Sequence, residues 1–581
     1  MKKAQSYADI IEWLKTCFPS PVSNPIMDGY FVHTISHFLD HVDSLKGAAP
    51  ILGANESPKC SQDTEGLIQE PSNANSIARS NAKGPLDLGS IEEFPQDTSS
   101  VEGVTELLAG YLRGMTIWAH PNAQVNVVPP SSIPSITAFI AAAIYNPNII
   151  WDEYSALFAQ SEIEAISMLS SLVGYDPSRS GGIFTFGGTG TILYGCKVGL
   201  EKALGGRGQV EGIKEDVKIV ASLSSHYSHF NVASWLGIGT KNLVLIPTNQ
   251  QSEMSLPDLE YYLRRAFEEG TKVGVILATM GTTDAFGIDD LAAIVSLRDR
   301  LAAEYELQCS PHIHADSVIG WIWSVFRDYD FANNPLDFRS CTLQSLQKSV
   351  QRIGSLSKAD SLGVDLHKTG YAPYISSAFL VKDRADLTLL SREPDKMPYL
   401  YQFGQYHPGI YTLESSRSGA GALAALANMH LMGKQGYRAL IGHNVEMAEL
   451  LREKLEKHNF IRVINEGNVG PVTLFRVYPD KMDAKEVFLR EMNDPRYREY
   501  LLEHNEFNRE IFNVVHSKSM TGEGVLLSWT DAFLHADYPY GPPIASLKSF
   551  IMSPWTNEEA VDMVVREVVE AKDRLQDVMG F

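Results

Sequence analysis

The sequence predicts an α/β protein, with a large domain built on a mainly parallel sheet covered by helices and a smaller C-terminal α+β unit behind it. Three observations carry this. Short, continuously apolar runs alternate with helical patterns from about residue 100 to 430, as expected of strands buried on both faces and joined by helical crossovers. From residue 431 the texture changes to shorter strand candidates and one long closing helix. A chain of 581 residues is also too long for one simple core.

In chain order, "MKKAQSYADIIEWLKTCF" is interrupted by Asp9, Glu12 and Lys15 before any long apolar run. It reads as a short amphipathic helix and not as a secretory leader. Residues 47–94 are rich in Ser, Asn, Gly, Pro and Ala without periodicity, the composition of an extended arm or linker. An arm of that length is expected to do more than connect, for instance to drape over a partner. "VKIVASLS" (217–224) and "KVGVILATM" (272–280) read as buried strands. Between them "SLPDLEYYLRRAFEEG" (255–270) has a Ser255 cap, Pro257 in the first turn and a closing Gly270, which marks a helix. In the last part "VGPVTLFRVYP" reads as a strand. "NEEAVDMVVREVVEAKDRL" reads as a helix with Val561, Val564, Val565 and Val568 on one face. The expected units are therefore 1–100 (helical segment and arm), 101–430 (large α/β domain) and 431–581 (small domain).

Composition narrows the function classes. Hydrophobic residues at 44% and charged residues at 20% are those of a globular chain. With 49 basic against 70 acidic residues, a net charge of −21 and no Lys/Arg cluster, nucleic acid is not an expected partner. The five cysteines, Cys17, Cys60, Cys196, Cys309 and Cys341, are scattered and lack CxxC spacing. Neither a disulfide framework nor a metal site is expected from them, and a reducing cytoplasm is the natural location. No apolar run reaches the roughly 18–20 residues that cross a bilayer, so no membrane association is expected.

Five stations carry chemistry. "FTFGGTGTILYGC" (184–196) puts a Gly-Gly-Thr turn at a helix start, where bare N–H groups attract an anion such as phosphate. A plain tight turn explains the same residues. "SSHYSHF" (224–230) follows a strand and would put His226 at the sheet's carboxyl edge, although, taken alone, a capped, satisfied histidine is the plainer reading. "ATMGTTDAFGIDDL" (278–291) ends another strand in hydroxyls, or simply in a Thr-rich turn. "HIHADSVIGW" (312–321) buries Asp316, whose carboxylate then needs a cationic partner. A protonated ring nitrogen would serve and would keep the acid ionised. "VDLHKTGYAPY" (364–374) places Lys368 in a small, turn-prone setting, where desolvation would lower its pKa and make it a Schiff-base nucleophile. Phosphate site, aromatic roof, carboxylate and imine-forming amine are together what pyridoxal phosphate requires.

From about residue 100 to the C-terminus the chain resembles the pyridoxal-phosphate-dependent group II amino-acid decarboxylases, the family of glutamate, tyrosine and aromatic L-amino-acid decarboxylases. "SSHYS", "ATMGTTDAFGIDD", "HADSVIG" and "HKTGYAPY", in this order along the chain, carry the resemblance. It implies fold type I, with a seven-stranded, mainly parallel sheet, and a homodimer with its active site at the subunit interface. It also implies that Lys368 holds the cofactor as a Schiff base, that His367, Gly188 and Thr189 bind its phosphate, and that His226 stacks on its ring. Asp316 would pair with the ring nitrogen, and Thr283 or Thr282 would support the cofactor from the sheet edge. "TLESSRSGAG" (412–421) resembles the segment whose arginine meets the substrate carboxylate, which implies Arg417. "MPYLYQFGQYHPGIY" (397–411) resembles the loop that brings a catalytic tyrosine, for which Tyr399 fits ahead of Tyr401, Tyr406 and Tyr411. His120 and Asn122 in "AHPN" resemble the stretch lining the substrate pocket.

Two departures stand out. Where the family commonly has an acidic residue and later Asn after the glycine pair, this chain has Gly190, Thr191 and Ile192, and Ser317 replaces the usual alanine after the aspartate. The activity implied is decarboxylation of an L-amino acid to its amine, with a tyrosine or aromatic substrate closer than an acidic one. Two other readings remain. "GTGTILYGCK" and "SRSGAG" are also similar to sphingosine-phosphate lyase, a carbon–carbon lyase of the same fold. A catalytically silent interaction protein using the 47–94 arm is the third.

Overall fold

A computed structural model describes residues 7–18, 28–45, 50–52, 93–393, 396–397 and 404–579. Most of the 47–94 arm, and the loop residues Tyr399 and Tyr401, lie outside the described residues.

Strand β1 (Ala123–Gln124) stands apart from the next seven: β2 (Gly181–Thr185), β3 (Val217–Ser222), β4 (Leu243–Ile246), β5 (Lys272–Thr279), β6 (His312–Asp316), β7 (Ser361–Asp365) and β8 (Ser377–Val381). These seven form one sheet in the order β2-β8-β7-β6-β5-β3-β4. Only β8 runs against its neighbours, so β2, β3, β5, β6 and β7 all end at one edge. That edge is where open α/β sheets bind ligands. Its strands are largely apolar because helices cover both faces, and β5 is buried at every position but the exposed Lys272.

Local signals were followed closely. Helix Leu256–Glu268 starts where Ser255 accepts from the Asp258 N–H at 3.4 Å, and Gly270 takes φ 73° just beyond its end, the left-handed turn that glycine makes without strain. Helix Gly188–Ala203 is buried along most of its length and packs on β5, β6 and β7.

The second sheet holds β9 (Ile461–Val463), β10 (Val472–Val477), β11 (Leu526–His535) and β12 (Pro543–Phe550) in the order β1-β11-β12-β10-β9. Helices Arg498–Met520 and Glu558–Met579 cover it, the latter through Val561, Val564 and Val568. The two parts of the chain are stitched together. β1, from the N-terminal half, pairs in parallel with β11 through Ala123 and Leu526, and Ser549 donates to Gln124 Oε1 at 2.6 Å. Helix Ala420–Leu455 runs from one sheet to the other with a break at Gly433 (φ 52°, ψ −169°).

Candidate active site

Four strand ends and one helix start converge on a cleft of about 260 Å³. Its lining includes Gly188 and Thr189 after β2, His226 after β3, Asp316 at the end of β6, and Asp365, His367 and Lys368 at the end of β7. The sequence-predicted set Gly188, Thr189, His226, Asp316, His367 and Lys368 is thus brought together.

At the Gly-Gly turn Gly187 has φ 102°, a left-handed region that glycine tolerates. A Cβ on Gly188 would stand 2.9 Å from Asp365 Oδ2 and 3.2 Å from Val318. The bare turn therefore keeps open the start of a 16-residue helix, with its unpaired N–H groups and the positive end of its dipole. The Gly190 departure has a steric reason as well: a Cβ there would meet Thr185 Oγ1 at 2.6 Å and the Phe186 ring at 3.2 Å, leaving no room for an acidic side chain.

Asp316 is buried, and its Oδ1 has no hydrogen-bond partner. Burial pushes its pKa up to about 6, with Lys368 pulling it down and Asp365 pushing it further up. An orphaned, buried carboxylate oxygen beside a cleft is what a cationic nitrogen would satisfy. Ser317, the other departure, donates to the Gly363 carbonyl at 2.6 Å, so its hydroxyl is absorbed by the neighbouring strand.

Lys368 Nζ lies 3.0 Å from Asp365 Oδ2. Here the expectation is corrected. Burial does pull the ammonium down and is the largest influence, but Asp365 and Asp316 together outweigh it, so the pKa is raised and not lowered. Two carboxylates beside one buried amine favour its charged form. Asp365 is itself fixed by Ser377, which donates to Oδ1 at 2.6 Å, and lies 3.5 Å from His367 Nε2. His226 accepts the Ser228 N–H at Nδ1 (3.2 Å). Its pKa is lowered by burial and then by the Lys368 charge, so it presents a neutral ring to the cleft at pH 7.

The other expected residues are elsewhere. Thr283 does not line the cleft; its carbonyl accepts from Lys548 Nζ at 2.9 Å. Thr282 closes its own turn by accepting the Gly287 N–H at 2.9 Å. His120 and Asn122 sit at the junction with the second sheet, where Asn122 Nδ2 donates to the Gly524 carbonyl at 3.0 Å. Arg417 is buried away from the lining. Its NH1 donates to Glu162 Oε1 (2.5 Å) and to the Phe184 carbonyl (2.7 Å), and its NH2 to Glu162 Oε2 (3.0 Å). Its expected contact with a substrate carboxylate is therefore corrected: an internal acid has taken the guanidinium. Tyr406 joins the same cluster through Glu162 at 2.9 Å, and burial pushes the nearby Tyr411 hydroxyl up to about 12.

Asp365 was missed in the sequence, although it is the last residue of a buried strand, inside the "VDLHK" stretch. The apolar walls Phe186, Ile192, Val318, Tyr374 and Ile375 were missed too; they carry no polar signal and come from separate segments.

Residues 90–321 match the pyridoxal-dependent decarboxylase conserved domain. The chain is 23% identical to an L-2,4-diaminobutyrate decarboxylase of Acinetobacter baumannii, over 62% of this chain and 68% of that one. It is 25% identical to an L-tyrosine decarboxylase of Enterococcus faecium, over 60% of this chain and 61% of that one, so it spans less than two thirds of this relative's length. Oryza sativa TDC, solved with PLP and tryptamine, shares the fold at a TM-score of 0.69 and 16% identity, covering 96% of this chain and 99% of that one. The cofactor of the matched domain, pyridoxal phosphate, fits the cleft on three counts: an open helix start for its phosphate, an orphaned acid for its ring nitrogen and an amine for its aldehyde. Over residues 90–321 the chain carries the pyridoxal-dependent decarboxylase conserved domain.

Proposed function

We propose that the protein removes the α-carboxyl group of an L-amino acid as carbon dioxide and releases the amine, using pyridoxal phosphate. The observation that carries the proposal is the convergence of Lys368, the orphaned Asp316 oxygen and the Gly187–Gly188 helix start in one cleft. Bound there, the cofactor supplies an electron sink for the pair left by departing carbon dioxide. The protein's part is binding and orientation. Lys368 would supply the amine that holds the cofactor's aldehyde. Asp316 would pair with its ring nitrogen, Gly188 and Thr189 with His367 would hold its phosphate, and neutral His226 would lie against its ring. Asp365 holds Lys368 and His367 in register. A loop tyrosine, Tyr399 by resemblance, would return the proton.

We favour an aromatic or other apolar substrate side chain. The lining gives Phe186, Ile192, Val318, Tyr374 and Ile375, and its one cationic side chain is Lys368, which the cofactor engages. An acidic side chain would meet no counter-charge among the described lining residues. The relatives include decarboxylases of tyrosine, diaminobutyrate and aspartate, which frames the choice. Phe186, Tyr374 and Ile375 remain 38%, 53% and 50% exposed at the mouth, which supports closure of the cleft by a second copy of the chain in a homodimer. Four described cysteines are free, in keeping with a cytoplasmic location. No described helix is long and apolar enough to cross a membrane.

The test is to incubate cofactor-loaded enzyme with a panel of L-amino acids and measure carbon dioxide and amine. Equal amounts of both from an aromatic substrate are expected. An aldehyde without carbon dioxide would favour the carbon–carbon lyase, and failure to take up cofactor, with no absorption band from bound cofactor, would favour the silent interaction protein.

A further inference from the structure

We propose that the N-terminal helix pair carries a zinc-type metal site formed by His37, His41 and Glu106, separate from the cofactor cleft. The helix Gly29–Ser44 contains the stretch "HTISHFLDH", with histidines at 33, 37 and 41. Spacing of four residues puts them on one face, one turn apart. The second helix, Val101–Gly110, packs beside it and presents Glu106. One ring nitrogen from each of His37 and His41 and one Glu106 carboxylate oxygen lie within 4.8 Å of one another.

Two further observations point to a ligand. His37 Nδ1 and His41 Nε2 are buried and have no hydrogen-bond partner, a costly state for polar ring atoms that a Lewis acid would relieve. The two rings stand at 90° with centroids 4.6 Å apart, and His33 follows at 6.2 Å from His37. Nothing here is a simple acidic cluster: two imidazoles and one carboxylate are the donor set of open zinc sites. Donors bonded at about 2.0–2.2 Å in a tetrahedron stand roughly 3.3–3.6 Å apart, a contraction that side-chain rotation supplies. Water would fill the fourth position.

Such a site would clip helix Gly29–Ser44 to helix Val101–Gly110 across the 47–94 arm. Closing a long loop removes more chain entropy than closing a short one, so the clip would hold the two helices together wherever the metal is available. The decarboxylation chemistry does not depend on it.

The experiment uses the full-length, cofactor-loaded protein, stripped with chelator and titrated with zinc chloride by calorimetry. His37→Ala/His41→Ala and Glu106→Gln are run beside it, with cobalt as a spectroscopic probe. The wild type is expected to bind one zinc equivalent more than the double variant. Glu106→Gln, at an exposed position that folding tolerates, should bind that equivalent at least tenfold more weakly and lose the visible band of four-coordinate cobalt. Zinc should also protect the Gly29–Ser44 helix of the wild type from limited proteolysis more than it protects that helix in either variant. Equal stoichiometry and affinity in wild type and Glu106→Gln would overturn the site. Amine production, unchanged in both variants, keeps this outcome distinct from any failure of the decarboxylase reading.

Discussion

Two clusters of buried charge adjoin β2, and they differ in one respect. In the first, Arg417 and Glu162 meet through two hydrogen bonds, and Tyr406, the Phe184 N–H and the Phe184 carbonyl take up most of what remains. In the second, Lys368 meets Asp365, but Asp316 Oδ1 is left with nothing. Both clusters pay desolvation and each leaves a polar atom without a hydrogen bond, Arg417 Nε in the first and Asp316 Oδ1 in the second, but only the second does so on a carboxylate at the wall of a cleft. A paired buried charge reads as scaffold. An unpaired one reads as a place kept for a ligand.

The sharpest way to break this contrast is Lys368→Ala. Decarboxylation is expected to fall by roughly 10⁴-fold or more, with loss of the bound-cofactor absorption and of borohydride trapping. Retained trapping would show that another amine holds the cofactor. Asp316→Asn should lower kcat by on the order of 10²–10³-fold while the cofactor still binds covalently, because only the proton on its ring nitrogen is lost. A drop no larger than that of a distant control substitution would remove Asp316 from the site.

For the first cluster, Arg417→Met should cost about 3–5 kcal/mol of stability by leaving Glu162 buried and unpaired, read from denaturant unfolding. Its KM, measured where the variant is still folded, should change little. The reverse pattern, a raised KM at unchanged stability, would return Arg417 to the substrate. The smallest expected effect belongs to Asp365→Asn. Asp365 and Asp316 raise the Lys368 pKa above its ordinary value of 10.5, so the stabilisation they give the ammonium is full below 10.5 and is lost as pH rises through the higher folded value. Cofactor capture needs the free amine, and removing one carboxylate should therefore move the pH profile of capture to lower pH. A profile that stays put would mean Asp365 does not govern the amine.

Much of the cleft was legible because its residues stand at strand ends within short stretches. Asp316 follows "HIHA" and Lys368 follows "VDLH", and a buried strand that stops at a polar residue announces both its edge and its chemistry. Arg417 misled for a physical reason: an arginine beside a Gly-rich turn looks the same whether its acid is a substrate or an internal glutamate 255 residues away. The histidines at 33, 37 and 41 had a readable spacing, but their donor set is completed only by Glu106 on another helix. The spacing of the five cysteines carries no such signal.

By itself the amino-acid sequence determined the alternation of strand and helix, the helix caps at Ser255 and Gly270, and which residues end the strands of the large sheet, since all of these rest on local periodicity and turn chemistry. The tertiary structure alone decided which charges are paired. Glu162 with Arg417, Asp365 with Lys368, and β1 with the distant β11 depend on contacts between remote segments, and the energy of a buried charge is set by the partner it meets in space.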